Sequence, residues 1–278
     1  MTIRLPQIGT ITQGTIFCCA SAERYPGARV FGVAITARCD VANDKFPVLN
    51  YIPAVLLTDW FHCDGWEILH SKTSKAAEGS FLSALKQQDI SETILYSKSH
   101  REIYESFFVG ENALGSARKS AERVRGIVEE IEILANLQIT SLEQRNYLLD
   151  KYQKYSRQII QDLIEHKLSG HYYLPAIPGE DNVPLVALMR ESSFIPRDIA
   201  EAIARGTDQA RAPQVSRGGA GLDFSIDEFA MPLGQLMSPN IEHLMQTYSQ
   251  MFGRIGIEDT PAEALKAIFS IELRKATQ

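Results

Sequence analysis

The chain has no long apolar run: nothing in it reaches the roughly 18 residues that a membrane-spanning helix requires. Its opening stretch, Met1 to Gly9, has neither an apolar signal core nor a small-residue cleavage site. The expected location is therefore the cytoplasm, with no membrane partner. Cysteine is scarce. Cys18, Cys19, Cys39 and Cys63 are the only four in 278 residues and make no C-x-x-C pair, which argues against a secreted disulfide framework. Positive charge is not in surplus: 28 Lys and Arg stand against 34 Asp and Glu, for a net charge of −6. That disfavours a surface dominated by phosphate contacts but leaves room for a local basic groove. There is no internal repeat. The glycine run Gly218-Gly219-Ala220-Gly221 lacks the preceding strand and the lysine of a phosphate-binding loop, and reads as a tether. No strong catalytic signature is present.

What is present is ordinary globular composition, 45% hydrophobic and 22% charged. Gly14 to Phe17 starts a strand after a glycine turn, and Val30 to Thr36 is β-branched and apolar, so it reads as a buried strand. Residues 48–58 form a third strand, in which Pro53 predicts an edge position or a bulge. Matching β-rich material resumes only at 171–177 and 184–196. A small barrel cannot close without its late strands. Residues 1–59 and 171–236 are therefore expected to form one β-barrel domain, interrupted by a helical insert over 60–170 and followed by C-terminal helices over 237–278.

Within the insert, 66–72 and 78–88 carry helix formers, while 92–96 fits a short strand or a helical turn. Leu114, Ala117, Ala121, Val124, Val128, Ile131 and Ala135 recur as a heptad seam. The next helix opens on Thr140 and Glu143, the spacing of a capping box, and carries the stripe Leu148, Tyr152, Tyr155, Ile159 and Leu163 before Gly170. The connector Leu137-Gln138-Ile139 predicts an antiparallel hairpin with arms of roughly 35 Å, a coiled-coil-like element. Ile127, Ile133 and Leu134 lie off the seam and could meet the barrel, a protein partner or a second copy. Beyond the barrel strands, Pro196 starts a short helix and 205–221 reads as a mobile loop. Ser238-Pro239 and Thr260-Pro261 place a capping residue before a proline, and Ile241, Leu244, Met245, Tyr248, Phe252 and Ile255 make a buried stripe.

The β segments resemble PemK/MazF-type toxins. Gly14-Thr15-Ile16-Phe17 is similar to the family's opening Gly-Asp-Ile-Val, Arg29 precedes an apolar strand as the family's arginine does, and a third strand ends at Thr58. The late strands, a proline and a short helix are matched loosely by 174–203. Thr15 stands where the family has an acidic residue, and Val30 where a proline usually follows the arginine. The resemblance implies an SH3-like small barrel in an α+β chain and a metal-independent endoribonuclease acting on single-stranded RNA, with no cofactor. Arg29 would stabilise charge on the phosphorane and Thr58 would bind the scissile phosphate, with Asp40 or Asp59 as the base or as holder of the arginine. An apolar strand running into Thr36, Cys39 and Asp40 is also similar to bacterial proteins of defence loci.

Other residue sets carry weaker chemistry. Cys39-Asp40 at a strand end reads as loop chemistry with a buried, inert thiol. His62, Cys63, His70 and Cys39 match no standard zinc spacing, so no metal is expected. Arg205, Arg211 and Arg217 could contact RNA or an acidic partner. Two functions from different classes follow. One is a toxin-like or defence-associated endoribonuclease. The other is a non-catalytic interaction module that binds a protein through the hairpin and C-terminal helices in a toxin–antitoxin-like system.

Overall fold

A run of nine residues, Val48–Leu56, is the strand around which the sheet is organised in the computed structural model, which describes residues 2–7, 9–109, 116–137, 142–212 and 221–253. In chain order the strands are β1 (Ile3–Arg4), β2 (Thr15–Phe17), β3 (Val30–Ala34), β4 (Val48–Leu56), β5 (His171–Leu174), β6 (Leu185–Leu188), β7 (Ser193–Pro196), β8 (Thr207–Asp208), β9 (Phe229–Ala230) and β10 (Pro232–Leu236). Eight of them make one antiparallel sheet in the order β1-β10-β2-β3-β4-β6-β5, with β7 also on β4. The sheet curls into a half-barrel. Strands from before and after the insert thus share one sheet, because the runs on either side bury their apolar faces only against each other.

Pro53 is neither at an edge nor in a bulge. On one flank β4 pairs with β3 from Tyr51 to Val55; on the other it pairs with β7 over Val48–Tyr51 and with β6 over Ala54–Leu56. Pro53 falls where the partner changes, so its missing N–H interrupts no ladder. In β3, Gly32 leaves room for the Phe17 ring, onto which any β-carbon would collide, and Phe17 meets Tyr51 edge-on at 5.4 Å.

The helices are α1 (Arg38–Ala42), α2 (Leu57–Trp60), α3 (Trp66–Gln87), α4 (His100–Phe107), α5 (Ser116–Asn136), α6 (Leu142–Lys151), α7 (Gln153–Ile164), α8 (Arg197–Arg205) and α9 (Asn240–Phe252). A π-helical turn, Phe61–Gly65, joins α2 to α3, and Glu92–Tyr96 is a 3₁₀ turn rather than a strand. The two helix-forming stretches 66–72 and 78–88 are therefore one helix.

The expected hairpin seam is corrected. The stripes of α5 and of α6–α7 are buried, but not chiefly against each other. Val124 and Val128 pack with Phe81, Ala84 and Leu85 of α3 and Ile103 of α4 in a core of their own. Ile159 and Leu163 of α7 join the core under the sheet, together with Leu148 and with Leu134 of α5. The buried residues of α3 follow one stripe: Trp66, Leu69 and Ala77 near its start belong to the core under the sheet, and Phe81, Ala84 and Leu85 near its end to the other core. The helix expected over 140–168 breaks at Tyr152, whose hydroxyl donates to Glu130 of α5. Leu114, Thr140 and the connector from Gln138 lie outside the described residues.

This packing makes a prediction that a direct seam would not. Val128→Ala and Ile159→Ala should each destabilise by about 1–3 kcal/mol, and the double variant should equal their sum to within about 0.5 kcal/mol, since the residues sit in different cores. A denaturant-unfolding cycle checks this; strong coupling would restore the hairpin seam.

At the C-terminal side, β8 pairs with β9, so the expected loop over 205–221 is partly a ribbon. Helix α9 buries Ile241 and Leu244 while Phe252 is exposed. Pro239, not Ser238, directly precedes this helix, and no side chain caps it. Thr260, Pro261 and Ile255 lie outside the described residues. Among the described residues no helix is long and apolar enough to cross a membrane.

Candidate functional site

The turn before β3 delivers Arg29 into a cage of carboxylates. Its Nε donates to both oxygens of Asp227, at 3.0 and 2.8 Å, and one terminal nitrogen donates to Glu180 at 2.6 Å. Its guanidinium also lies over the Phe31 ring, 4.9 Å from the centroid. Burial works against the charge of Arg29, and the bonds to Asp227 and Glu180 outweigh it, so the group is held more firmly protonated than a free arginine. A phosphate would have to displace two anions to reach it.

Among the described residues, none of the other expected site residues is hydrogen-bonded or ion-paired to Arg29, although the β3–β4 register brings Arg29 opposite the end of β4, two residues before Thr58. Thr58 does not end a strand: β4 stops at Leu56, and Thr58 is exposed in the first turns of α2. Asp59 follows it, half-buried, and burial pushes its carboxyl up. Asp40 is in α1 rather than at a strand end, and Cys39 beside it is exposed rather than buried. Arg205 ends α8, Arg211 pairs with Asp208 at 3.6 Å, and Arg217 lies outside the described residues. Cys39, His62, Cys63 and His70 do not converge: Nδ1 of His62 accepts from the Trp66 indole, and Nε2 of His70 faces the Leu134 carbonyl.

Two constellations that local sequence reading missed are built around β5. Successive residues of a strand face opposite ways, so His171 and Tyr172 serve different sides. On one side, Asp64 in the π turn is 5% exposed and gathers Arg24, the Tyr25 hydroxyl at 2.7 Å and His171 Nε2 at 3.2 Å. Arg24 also reaches Glu67 at 2.7 Å. Burial pushes the Asp64 carboxyl up, but the bonds from His171 and Tyr25 and the nearby Arg24 outweigh it and hold the group below the usual carboxylate value. This network ties the insert to the loop after β2 and to β5.

On the other side, Tyr172 meets two histidines. His166 stacks on its ring at 4.0 Å between centroids, and the Tyr172 hydroxyl lies 2.8 Å from Nδ1 of His243 on α9. The two imidazole centroids are 5.1 Å apart. They line a cleft of about 260 Å³ with Ser169, Met189, Thr247 and Met251. His166 has a left-handed backbone, φ 56°, uncommon outside glycine, and its buried Nδ1 has no partner among the described residues. Burial, and then the charge of His243, push the His166 pKa down. Burial pushes Tyr172 up to about 12, so its hydroxyl keeps its proton at neutral pH. At the rim, Arg190 lies against Gly170, whose φ of 87° and missing side chain leave it room, and donates to Ser169 Oγ at 3.4 Å. It has no carboxylate partner among the described residues.

The arrangement supplies one imidazole biased toward the neutral form, a second imidazole fixed by a tyrosine, and an uncommitted guanidinium beside an open cleft. Such a set can move protons without a metal. In comparisons with known proteins, no family model, no curated protein and no solved structure matches this chain.

Proposed function

We propose that the chain is a metal-independent RNA endonuclease of the toxin or defence type, on a half-barrel read as SH3-like and similar to PemK/MazF toxins, with His166 and His243 carrying the proton transfers. The observation that supports this reading is the histidine pair in the cleft, 5.1 Å apart with their environments made unequal by burial. An imidazole held toward its neutral form suits a base, and a second imidazole within reach suits the acid. His166, biased to neutrality, takes the proton from a ribose 2′-OH. The 2′ oxygen then attacks phosphorus and the bond to the 5′ oxygen breaks. His243, oriented by Tyr172, returns a proton to that leaving oxygen, and Arg190 faces the charge on the phosphorane. Arg29, committed to Asp227 and Glu180, acts as a clamp on the barrel rather than as the catalytic cation.

This chemistry fixes the products. Incubation with a mixed RNA pool in EDTA should give fragments ending in a 2′,3′-cyclic phosphate and beginning with a 5′-hydroxyl. Ends bearing a 5′-phosphate, or activity that EDTA removes, would refute the mechanism.

A second reading, the non-catalytic interaction module, is favoured by apolar side chains on the insert that face solvent: Tyr96 is 93% exposed, and Phe107 and Val109 about half. It requires a partner protein, or a second copy, seated on the insert, and predicts an intact RNA pool.

A further inference from the structure

Cys18 and Cys19 follow β2 directly, and a continued strand would send their side chains to opposite faces. The chain does something else. Cys19 takes a left-handed backbone, φ 60°, and both thiols turn toward Asp227. The two Sγ atoms and a carboxylate oxygen of Asp227 lie within 4.8 Å of one another. No other set of three His, Cys, Asp or Glu side chains converges so closely among the described residues.

We propose that Cys18, Cys19 and Asp227 form a binding site for a soft divalent cation of the Zn²⁺ class. Thiolates and a carboxylate are suitable donors, and thiolate–zinc bonds of about 2.3 Å place two sulfurs about 3.8 Å apart in a tetrahedron. The observed convergence is therefore within a small adjustment of that geometry. The carbonyl of Phe229, 3.1 Å from Cys18 Sγ, is positioned as a fourth donor. Both cysteines are buried, at 2% and 3% exposure, which protects thiolate ligands from exchange. The carboxylate is already aimed, because Arg29 holds both of its oxygens. Such outer contacts orient ligands and tighten binding.

Charge is balanced as well. With both thiols protonated, Asp227 and Glu180 outweigh Arg29 by one negative charge. Binding a divalent cation releases the two thiol protons, so the cluster keeps the same net charge. The site shares no residue with the histidine cleft, and its success or failure is independent of the endonuclease reading.

The test is native mass spectrometry of the full chain, reduced, titrated with Zn²⁺. One zinc per chain is expected, with a mass gain equal to zinc minus two protons. Cys18→Ser and Cys19→Ser should each weaken uptake by about tenfold or more. Asp227→Asn keeps both thiols and should weaken it also, which preserves the test if a thiol variant fails to fold. The Cys39→Ser, Cys63→Ser double variant should bind as the parent does. No uptake by the parent chain, uptake without loss of two protons, or uptake by Cys19→Ser and Asp227→Asn equal to that of the parent would overturn the proposal.

Discussion

Replacing Asp64 with alanine is expected to lower the free energy of unfolding by about 3–5 kcal/mol, the usual cost of removing one member of a buried, hydrogen-bonded charge cluster. The substitution strands three groups at once: the Tyr25 hydroxyl, His171 Nε2 and the inward nitrogen of Arg24. The cost falls chiefly on the Tyr25 hydroxyl and His171 Nε2, which sit in buried surroundings around Asp64, since Arg24 is 45% exposed and keeps Glu67. Urea unfolding of the parent and the variant measures the loss; a change below about 1 kcal/mol would mean that the cluster does not pin the insert to the sheet. The same carboxyl sets an acid limb. Its folded-state pKa lies below the ordinary 3.8, so its contribution is complete above that value and is lost as the pH falls through the lower, folded-state pKa. Asp64→Ala should therefore show a smaller acid dependence of stability than the parent below pH 4 or so.

The strands were legible because their composition leaves few alternatives. Val30 to Ala34 is apolar and buried on both faces, and Val48 to Leu56 is so apart from the exposed Asn50 and its two half-buried ends; such runs belong in the middle of a sheet. Their matching with 171–196 followed from the need to bury those faces. The apolar stripes of α5 and α7 were legible too, since a 3.6-residue period needs no partner to be seen. Which surface receives a stripe is a tertiary fact. Val128 packs with Phe81 at the C-terminal part of α3 and Ile159 with the core under the sheet that holds its N-terminal part, and nothing within 113–168 encodes that.

Helix boundaries failed where a short polar element competes with a strand end. Thr58 and Asp40 both follow apolar runs, and both are helical. The site was least legible. Arg29 was recognisable as an arginine before a strand, but its partners Glu180 and Asp227 lie far along the chain. His166, Tyr172 and His243 have no common motif; they meet because β5 places Tyr172 on one face while a left-handed turn and α9 bring the imidazoles to it. The nearest sequence signal was a histidine two residues into the turn after a helix, which is common in loops.

His166→Ala and His243→Ala are each expected to slow RNA cleavage by about 100- to 10,000-fold, the range for loss of a general acid or base. Folding should be nearly unaffected, because His243 is exposed and His166 half-buried. The pH–rate profile adds a directional test. The base must be neutral, and His166 is held below the ordinary 6.5, so the acid limb of cleavage should fall at a lower pH than a solvent-exposed histidine would give. Tyr172→Phe should leave both imidazoles but release His243, slowing cleavage less than loss of either histidine.

The most direct measurement is the rate of RNA cleavage in EDTA by the parent chain, His166→Ala and Arg29→Ala, each shown to be folded by circular dichroism. The expected result is cleavage by the parent and by Arg29→Ala, and none above background by His166→Ala. Cleavage that survives His166→Ala and disappears with Arg29→Ala would contradict it and return the chemistry to the arginine before β3.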